Sequence, residues 1–413
     1  MGFGVLMFSM LSDVGPQIPF SLLLMALLGL RSRVIPKASL WIGASPEKVW
    51  DLVELKDGKQ ENWGRTRTTA ECVDAFKQIY RKTYQTELTT GTARAFEAFF
   101  SIKSQTPTEE LVIAREGLQG KSHNNELLLQ TYRLTPENGG TRLNMSYEWG
   151  PRPLIAQLTA RADLWGGVFR LKGLAETGQP NERPYQIISA LVAIVTGLLT
   201  LVGFAMLLTW GFALLVIFAL FIHELGHLLA YRLIGQPWGR MIFLPFLGAI
   251  AMPRLPFESQ GQTVFAALMG PGFSTLIAIA CAVMAHFSEV PSQWVVLLGI
   301  VTVGLNVFNL LPVEPLDGGI ALRSVLTRVI GRHARFGLLA TGLLIALVGY
   351  VMGQALIMIF GGIAILANIK DRTIDGGLTP LSSLQVAISF FGYVAMVTAY
   401  ITMLYGFEPL LRS

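Results

Sequence analysis

The chain has 413 residues, 52% of them hydrophobic and only 14% charged, with a net charge of +5 and a mean hydropathy of +0.52. Soluble domains carry about 25% charged residues, so the composition excludes an ordinary soluble enzyme and a disordered chain. Two cysteines, Cys72 and Cys281, exclude a disulfide framework, and the small, scattered positive balance gives no case for a nucleic-acid partner. The charge is also unevenly placed: residues 1–183 hold 41 of the 59 charged side chains. A globular part of near-normal polarity is therefore expected to precede a half built for lipid.

Residues 1–33 are mostly apolar and close on Arg31 and Arg33. No positive charge precedes the apolar stretch, so it reads as an anchor rather than a cleaved signal peptide. Residues 34–183 have the texture of an α+β domain. Ala38-Ser39-Leu40-Trp41-Ile42 reads as a strand, and Ser45 followed by Pro46 and Glu47 is a favoured helix start. Strands are clearest over 127–134 and 141–149, with Asn138-Gly139-Gly140 as the hairpin turn. A long helix follows from Pro153, with Leu154, Leu158, Ala162, Trp165 and Phe169 at helical spacing. Gly173 stands where the next apolar residue is due, so the helix is expected to end near Lys172.

That order of a strand, a capped short helix, antiparallel strands and a closing helix resembles the START-like, polyketide-cyclase superfamily. Ala44-Ser45-Pro46-Glu47-Lys48-Val49-Trp50 carries most of the likeness. The resemblance implies a helix-grip fold with a cavity for an apolar ligand under the long helix. An α+β domain without a ligand is the other reading.

Residues 184–413 read as a polytopic α-helical membrane domain. Spans are expected near 186–210, 212–234, 262–287, 293–312, 336–352, 354–369 and 383–406, the first two joined as a tight hairpin. Arg232, Arg240, Arg323, Arg328, Arg332, Arg335, Lys370 and Arg372 fall on one side when these spans alternate. By the positive-inside rule that side is the cytoplasm, where residues 34–183 are expected to lie as well. The expected location is thus a cell (inner) membrane.

His223-Glu224-Leu225-Gly226-His227 stands inside the span 212–234. Residues four apart share a helix face, so both imidazoles can reach one metal, while Glu224 can reach a water without being a ligand. Three ionisable groups within a lipid-spanning helix cost several kcal/mol on insertion and point to function. A catalytic zinc usually takes a third protein ligand. His286 lies at the far end of its span and His333 in a basic loop. Asp317 is better placed, where Pro312 and Pro315 break a helix and Gly318-Gly319 let the backbone turn beside the carboxylate. Glu314, between the prolines, is expected to face solvent.

A His-Glu-x-x-His helix followed 80–90 residues later by Asn-x-x-Pro-x-x-x-x-Asp-Gly, here Asn309 to Gly318, resembles the site-2 protease family of intramembrane zinc metalloproteases over about residues 186–320. The resemblance implies that His223, His227 and Asp317 bind zinc and that Glu224 is the general base. It implies as substrate a membrane protein cut in or near a transmembrane helix within the bilayer. Asn309 would help hold substrate or orient the Asp segment. The family often has Gly-Pro-x-x-Asn on the intervening span; Gly270-Pro271-Gly272-Phe273-Ser274 departs from it, so Ser274 is either a shorter substrate-positioning group or a small packing residue. Residues 241–252 are too interrupted to span and resemble the family's embedded sheet or loop, whose edge could receive an unwound substrate by strand addition. The competing class is a non-proteolytic lipid sensor with a structural metal site. A transporter gains little, since no internal repeat is visible.

Overall fold

A computed structural model describes residues 31–33, 35–63, 66–87, 93–116, 127–245, 248–288, 292–353, 355–369 and 378–407. The anchor expected over residues 1–33 lies outside these, apart from its last three residues. Two compact units divide between Leu198 and Leu199. The expected boundary at 183–184 coincides with the start of a helix at Arg183, and the units divide farther along that helix.

The first unit contains β1 (Arg31–Ser32), β2 (Lys37–Ile42), α1 (Pro46–Val53), β3 (Gln60–Trp63), β4 (Thr66–Asp74), β5 (Ile79–Glu87), β6 (Ala93–Thr106), β7 (Glu110–Glu116), β8 (Leu127–Glu137), β9 (Gly140–Trp149), β10 (Arg152–Pro153) and α2 (Leu154–Thr177). Strands β2 to β9 form one antiparallel sheet in the order β2-β9-β8-β7-β6-β5-β4-β3. The first of them thus pairs with the last, and every other neighbour is a sequential hairpin. Ser45 caps α1 by accepting from the Lys48 N–H at 3.4 Å, with Pro46 as the first helical residue. Asn138 and Gly139 take φ of 50° and 71°, as the two-residue β8–β9 hairpin requires. Helix α2 lays Leu164, Val168, Leu171 and Ala175 against Ile42, Leu111, Leu134, Leu143 and Met145. Each large aliphatic side chain so buried contributes roughly 1.5–3 kcal/mol.

One expectation changes here. Helix α2 does not end near Lys172 but runs to Thr177. The chain turns at Gly178 and returns over the helix, so that a Cβ on Gly173 would lie 2.6 Å from both the Asn181 nitrogen and the Gln179 oxygen. The apolar stripe is interrupted for backbone clearance, not to stop the helix. Nor is the interior wholly apolar. Tyr80, Tyr84, Tyr132 and Tyr147 pack against the core, and Glu61 takes donors from Lys59 at 2.9 Å, Lys82 at 3.0 Å, Trp63 at 2.9 Å and Thr68 at 3.0 Å. Burial alone would raise the Glu61 pKa, but Lys82 and Lys59 overcome it and hold the carboxyl below its ordinary value. Burial pushes the Tyr84 phenol up to about 12.

The remaining elements are α3 (Arg183–Leu207), α4 (Trp210–Leu233), β11 (Arg240–Leu244), β12 (Gly248–Met252), α5 (Gln260–Phe287), α6 (Gln293–Asn309), α7 (Asp317–Ile330), α8 (Ala334–Val351), α9 (Ala355–Ile369) and α10 (Ser383–Phe407). Among the described residues five helices, α3, α4, α5, α8 and α10, are long and apolar enough to cross a membrane. The spans expected at 293–312 and 354–369 are occupied by shorter helices of 17 and 15 residues. Helix α6 stops at Asn309 because Pro312 has no N–H to donate and disfavours helix just before it. Only Leu208 and Thr209 separate α3 from α4, and Thr209 caps α4 by accepting from the Phe212 N–H. The region expected to be a sheet or loop carries two strands: β11 and β12 pair antiparallel from Arg240↔Met252 to Leu244↔Gly248. The core of this unit joins Leu268, Ala278 and Cys281 of α5, Ile300 and Val303 of α6, and Tyr400 and Phe407 of α10.

Candidate metal centre

Two helices deliver the donor residues. Helix α4 supplies His223 and His227 one turn apart, and their exposures are 2% and 8%. Asp317, 9% exposed, is the first residue of α7, where the helix dipole favours a carboxylate. It arrives because Leu310 ends α6 and the chain reverses through residues 311–316. A Cβ on Gly318 would overlap the Leu310 carbonyl, and one on Gly319 the backbone of Val313 and Glu314, so the two glycines let the first turn of α7 press against that reversal. Glu314 does not face solvent as expected: it pairs with Arg323 of α7, and both side chains are largely buried. That pair clamps the proline turn to the helix bearing Asp317. Tyr393 of α10 donates to the Leu310 carbonyl at 2.7 Å, and Tyr400 to that of Pro271 at 2.6 Å.

The donor atoms converge. His223 Nε2 lies 3.1 Å from Asp317 Oδ2 and His227 Nε2 lies 3.5 Å from it, while the two Nε2 atoms are 3.1 Å apart. The outer ring nitrogens fix the tautomers. His227 Nδ1 is 2.7 Å from the Ala266 carbonyl, which can only accept. His223 Nδ1 is 2.9 Å from Asn306 Oδ1, and the Asn306 amide is oriented by its own Nδ2 donating to the Thr302 carbonyl at 2.7 Å. Both protons therefore sit on Nδ1, and both Nε2 lone pairs point inward. Asp317 Oδ2, buried and without a hydrogen-bond partner among the described residues, faces the same point. Three acceptors at this separation repel one another unless a cation lies among them. Two ligands on a tetrahedral ion with bonds of about 2.0–2.1 Å sit roughly 3.3 Å apart. The donor set thus fits a divalent metal, and Asn306 and the Ala266 carbonyl stand where outer partners of metal-binding histidines usually stand.

Glu224 lies beside this triangle, 4% exposed. Its carboxylate comes within 4.8 Å of the imidazole donors and faces the Ala251 N–H of β12. Asp317 rather than Glu224 is the third member because a single oxygen of it faces both Nε2 atoms. Gly270 of α5 closes the opposite side, where a Cβ would overlap the His227 and His223 rings. Ser274, one turn on, is fully buried and its hydroxyl has no partner. Asn309 ends α6, half-buried, while Asn306 one turn earlier makes the contact to His223. Sequence reasoning misses Asn306 and the clearance role of Gly270; the signal for Asn306 is an amide in the apolar run of α6, one turn before Asn309. His286 and His333 pack beside Phe287 and Phe336.

No family model matches the chain. A curated zinc metalloprotease of Methanocaldococcus jannaschii is 26% identical over 147 residues, covering 34% of this chain and 42% of that protein. A second relative, from Synechocystis and assigned to the same class by name only, is 32% identical over 132 residues, 31% of this chain and 35% of that protein. The chain thus spans less than half the length of these relatives. Among solved structures, the site-2 protease of M. jannaschii is 21% identical, with a TM-score of 0.31 over 44% of this chain and 90% of that one. In sequence, about a third of the chain is similar to these zinc metalloproteases.

Proposed function

We propose that the chain is an intramembrane zinc metalloprotease that hydrolyses a peptide bond in or near a transmembrane helix of a membrane-protein substrate. The observation that carries this reading is the convergence of His223 Nε2, His227 Nε2 and Asp317 Oδ2 within 3.1–3.5 Å, with a buried carboxylate beside it.

Zinc held by these three residues would supply a Lewis acid and bring the pKa of water toward neutrality. Glu224 would take the proton of the attacking water and deliver it to the leaving amine. Asn306 and the Ala266 carbonyl would hold both imidazoles in the tautomer that leaves Nε2 free. Asn309 and Ser274 would position substrate beside the site. The edge of β12 would pair with an unwound substrate segment, since a peptide bond inside a helix is shielded from attack. His227 lies six residues from the end of α4, about 9 Å, so water would arrive from the side bearing Arg232 and Arg240. That side would be the cytoplasm, where residues 34–183 would bind an apolar ligand or govern substrate access.

The test is metal analysis of the purified chain. One zinc per chain is expected, with loss of it in Asp317→Ala and retention in Glu224→Gln. A wild-type chain that binds no zinc at micromolar concentration would end the reading.

A further inference from the structure

Ala251 is the penultimate residue of β12, and both of its backbone polar groups face α4. Its carbonyl accepts from the Tyr231 hydroxyl at 3.2 Å, and its N–H faces the Glu224 carboxylate. Glu224 and Tyr231 are seven residues apart, two turns and so one face of the helix, with a rise of about 10.5 Å between them. Long helical side chains lean toward the N-terminus, which lets the Tyr231 ring reach back to the residue that Glu224 also contacts. The ring is 5% exposed. It packs 5.9 Å from Phe257, and a Cβ on Gly239 would lie 2.9 Å from it.

The β11–β12 register extends the argument. In an antiparallel pair, successive residues direct their N–H and C=O alternately toward the partner strand and away from it. Ala251 opposes Met241 yet gives its carbonyl to α4, so its peptide groups face away from β11. Ala249, two residues earlier and opposite Phe243, faces the same way. Along this edge Ala251 is taken by Glu224 and Tyr231, and the peptide groups of Ala249 stand about 6.6 Å farther along.

We propose that Tyr231 is a positioning residue. Its hydroxyl pins β12 to α4, so that the Ala251 N–H aims the Glu224 carboxylate and Ala249 becomes the edge at which a substrate strand registers against the metal. This rests on the metalloprotease reading above and adds to it the residue that sets the register.

The test compares the zinc-loaded full chain with its Tyr231→Phe variant, which keeps the ring packing and loses only the hydroxyl. Two probes are titrated: acetohydroxamate, which reports the metal alone, and an extended peptide hydroxamate, which needs the strand edge as well. Acetohydroxamate should bind both proteins equally, while the peptide hydroxamate should bind Tyr231→Phe about tenfold more weakly, the scale of one hydrogen bond. Amide exchange at Ala251 should be at least tenfold faster in the variant. Equal peptide-hydroxamate affinity in the two proteins overturns the proposal. Failure of acetohydroxamate to bind the wild type overturns the metal reading instead, and unchanged Ala251 exchange would then overturn the tether on its own.

Discussion

Two buried ionisable clusters in this chain are built on opposite plans. In the first unit, Glu61 is 7% exposed in its side chain and is surrounded by donors: Lys59, Lys82, Trp63 and Thr68. Two lysines balance its charge and its Oε2 takes three hydrogen bonds, which is how a buried carboxylate becomes tolerable. In the second unit, His223, His227 and Asp317 turn three acceptors toward one another with no donor among them. Only the outward Nδ1 atoms are satisfied. The first cluster is complete as protein; the second is complete only with a cation. Burial of polar groups alone therefore does not mark a site, whereas burial with acceptors left facing each other does.

The contrast can be broken most sharply at Glu224. Replacing it with Gln should lower cleavage of a single-span substrate by about 10³-fold, within the range expected for a general base, while zinc content stays at the wild-type level. Both are measured on one preparation, and full activity in the variant would remove the proposed base. Next in size is the satisfied cluster. Glu61→Ala leaves two buried lysines without their anion and should destabilise the first unit by about 3 kcal/mol, read in the full chain as faster amide exchange across β3, β4 and β5. The metal content should not change.

A smaller effect is expected at Asn306. Asn306→Ala frees the His223 ring from its tautomer and orientation, and zinc affinity should fall about 10–100-fold by competition with a chelator. An Asn309→Ala variant should keep wild-type zinc affinity, because Asn309 is not the residue that contacts His223. The smallest effect is the pH dependence of the first unit. The folded Glu61 pKa lies below its model-compound value of 4.5, so its contribution is present above about pH 4.5 and is lost as pH falls through the lower folded value. The Tyr84 pKa is raised from 10.0 to about 12, so its contribution is present below pH 10 and is lost as pH rises toward 12. Exchange protection of β3 to β5 should therefore be flat between these limits and fall on both sides.

Much of this was readable before any coordinates. The charge imbalance separated the two parts of the chain, and the i, i+4 spacing of His223 and His227 is a helical property that needs no tertiary context. Ser45-Pro46 marked a helix start because capping is decided by neighbouring residues. Asp317 was legible because Pro312, Pro315 and the two glycines announce a broken helix in an apolar stretch. The misreadings share one cause. Gly173 looked like a helix end because sequence shows the gap in a stripe, not the returning chain at Asn181 and Gln179 that fills it. Glu314 looked solvated because its partner, Arg323, is nine residues on and comes alongside only after α7 has folded.

By itself, then, the sequence determined whatever depends on local periodicity and composition: which segments are apolar helices, where strands turn, and which residue types are grouped for metal chemistry. Tertiary structure decided what depends on distance between segments. It selected Asn306 over Asn309 as the partner of His223, made Gly270 the only kind of residue that fits beside the two imidazoles, and brought Ala251 to both Glu224 and Tyr231. Hydrogen bonds and steric clearance act over about 3 Å, and no pattern along the chain encodes which distant backbone atom will stand at that distance.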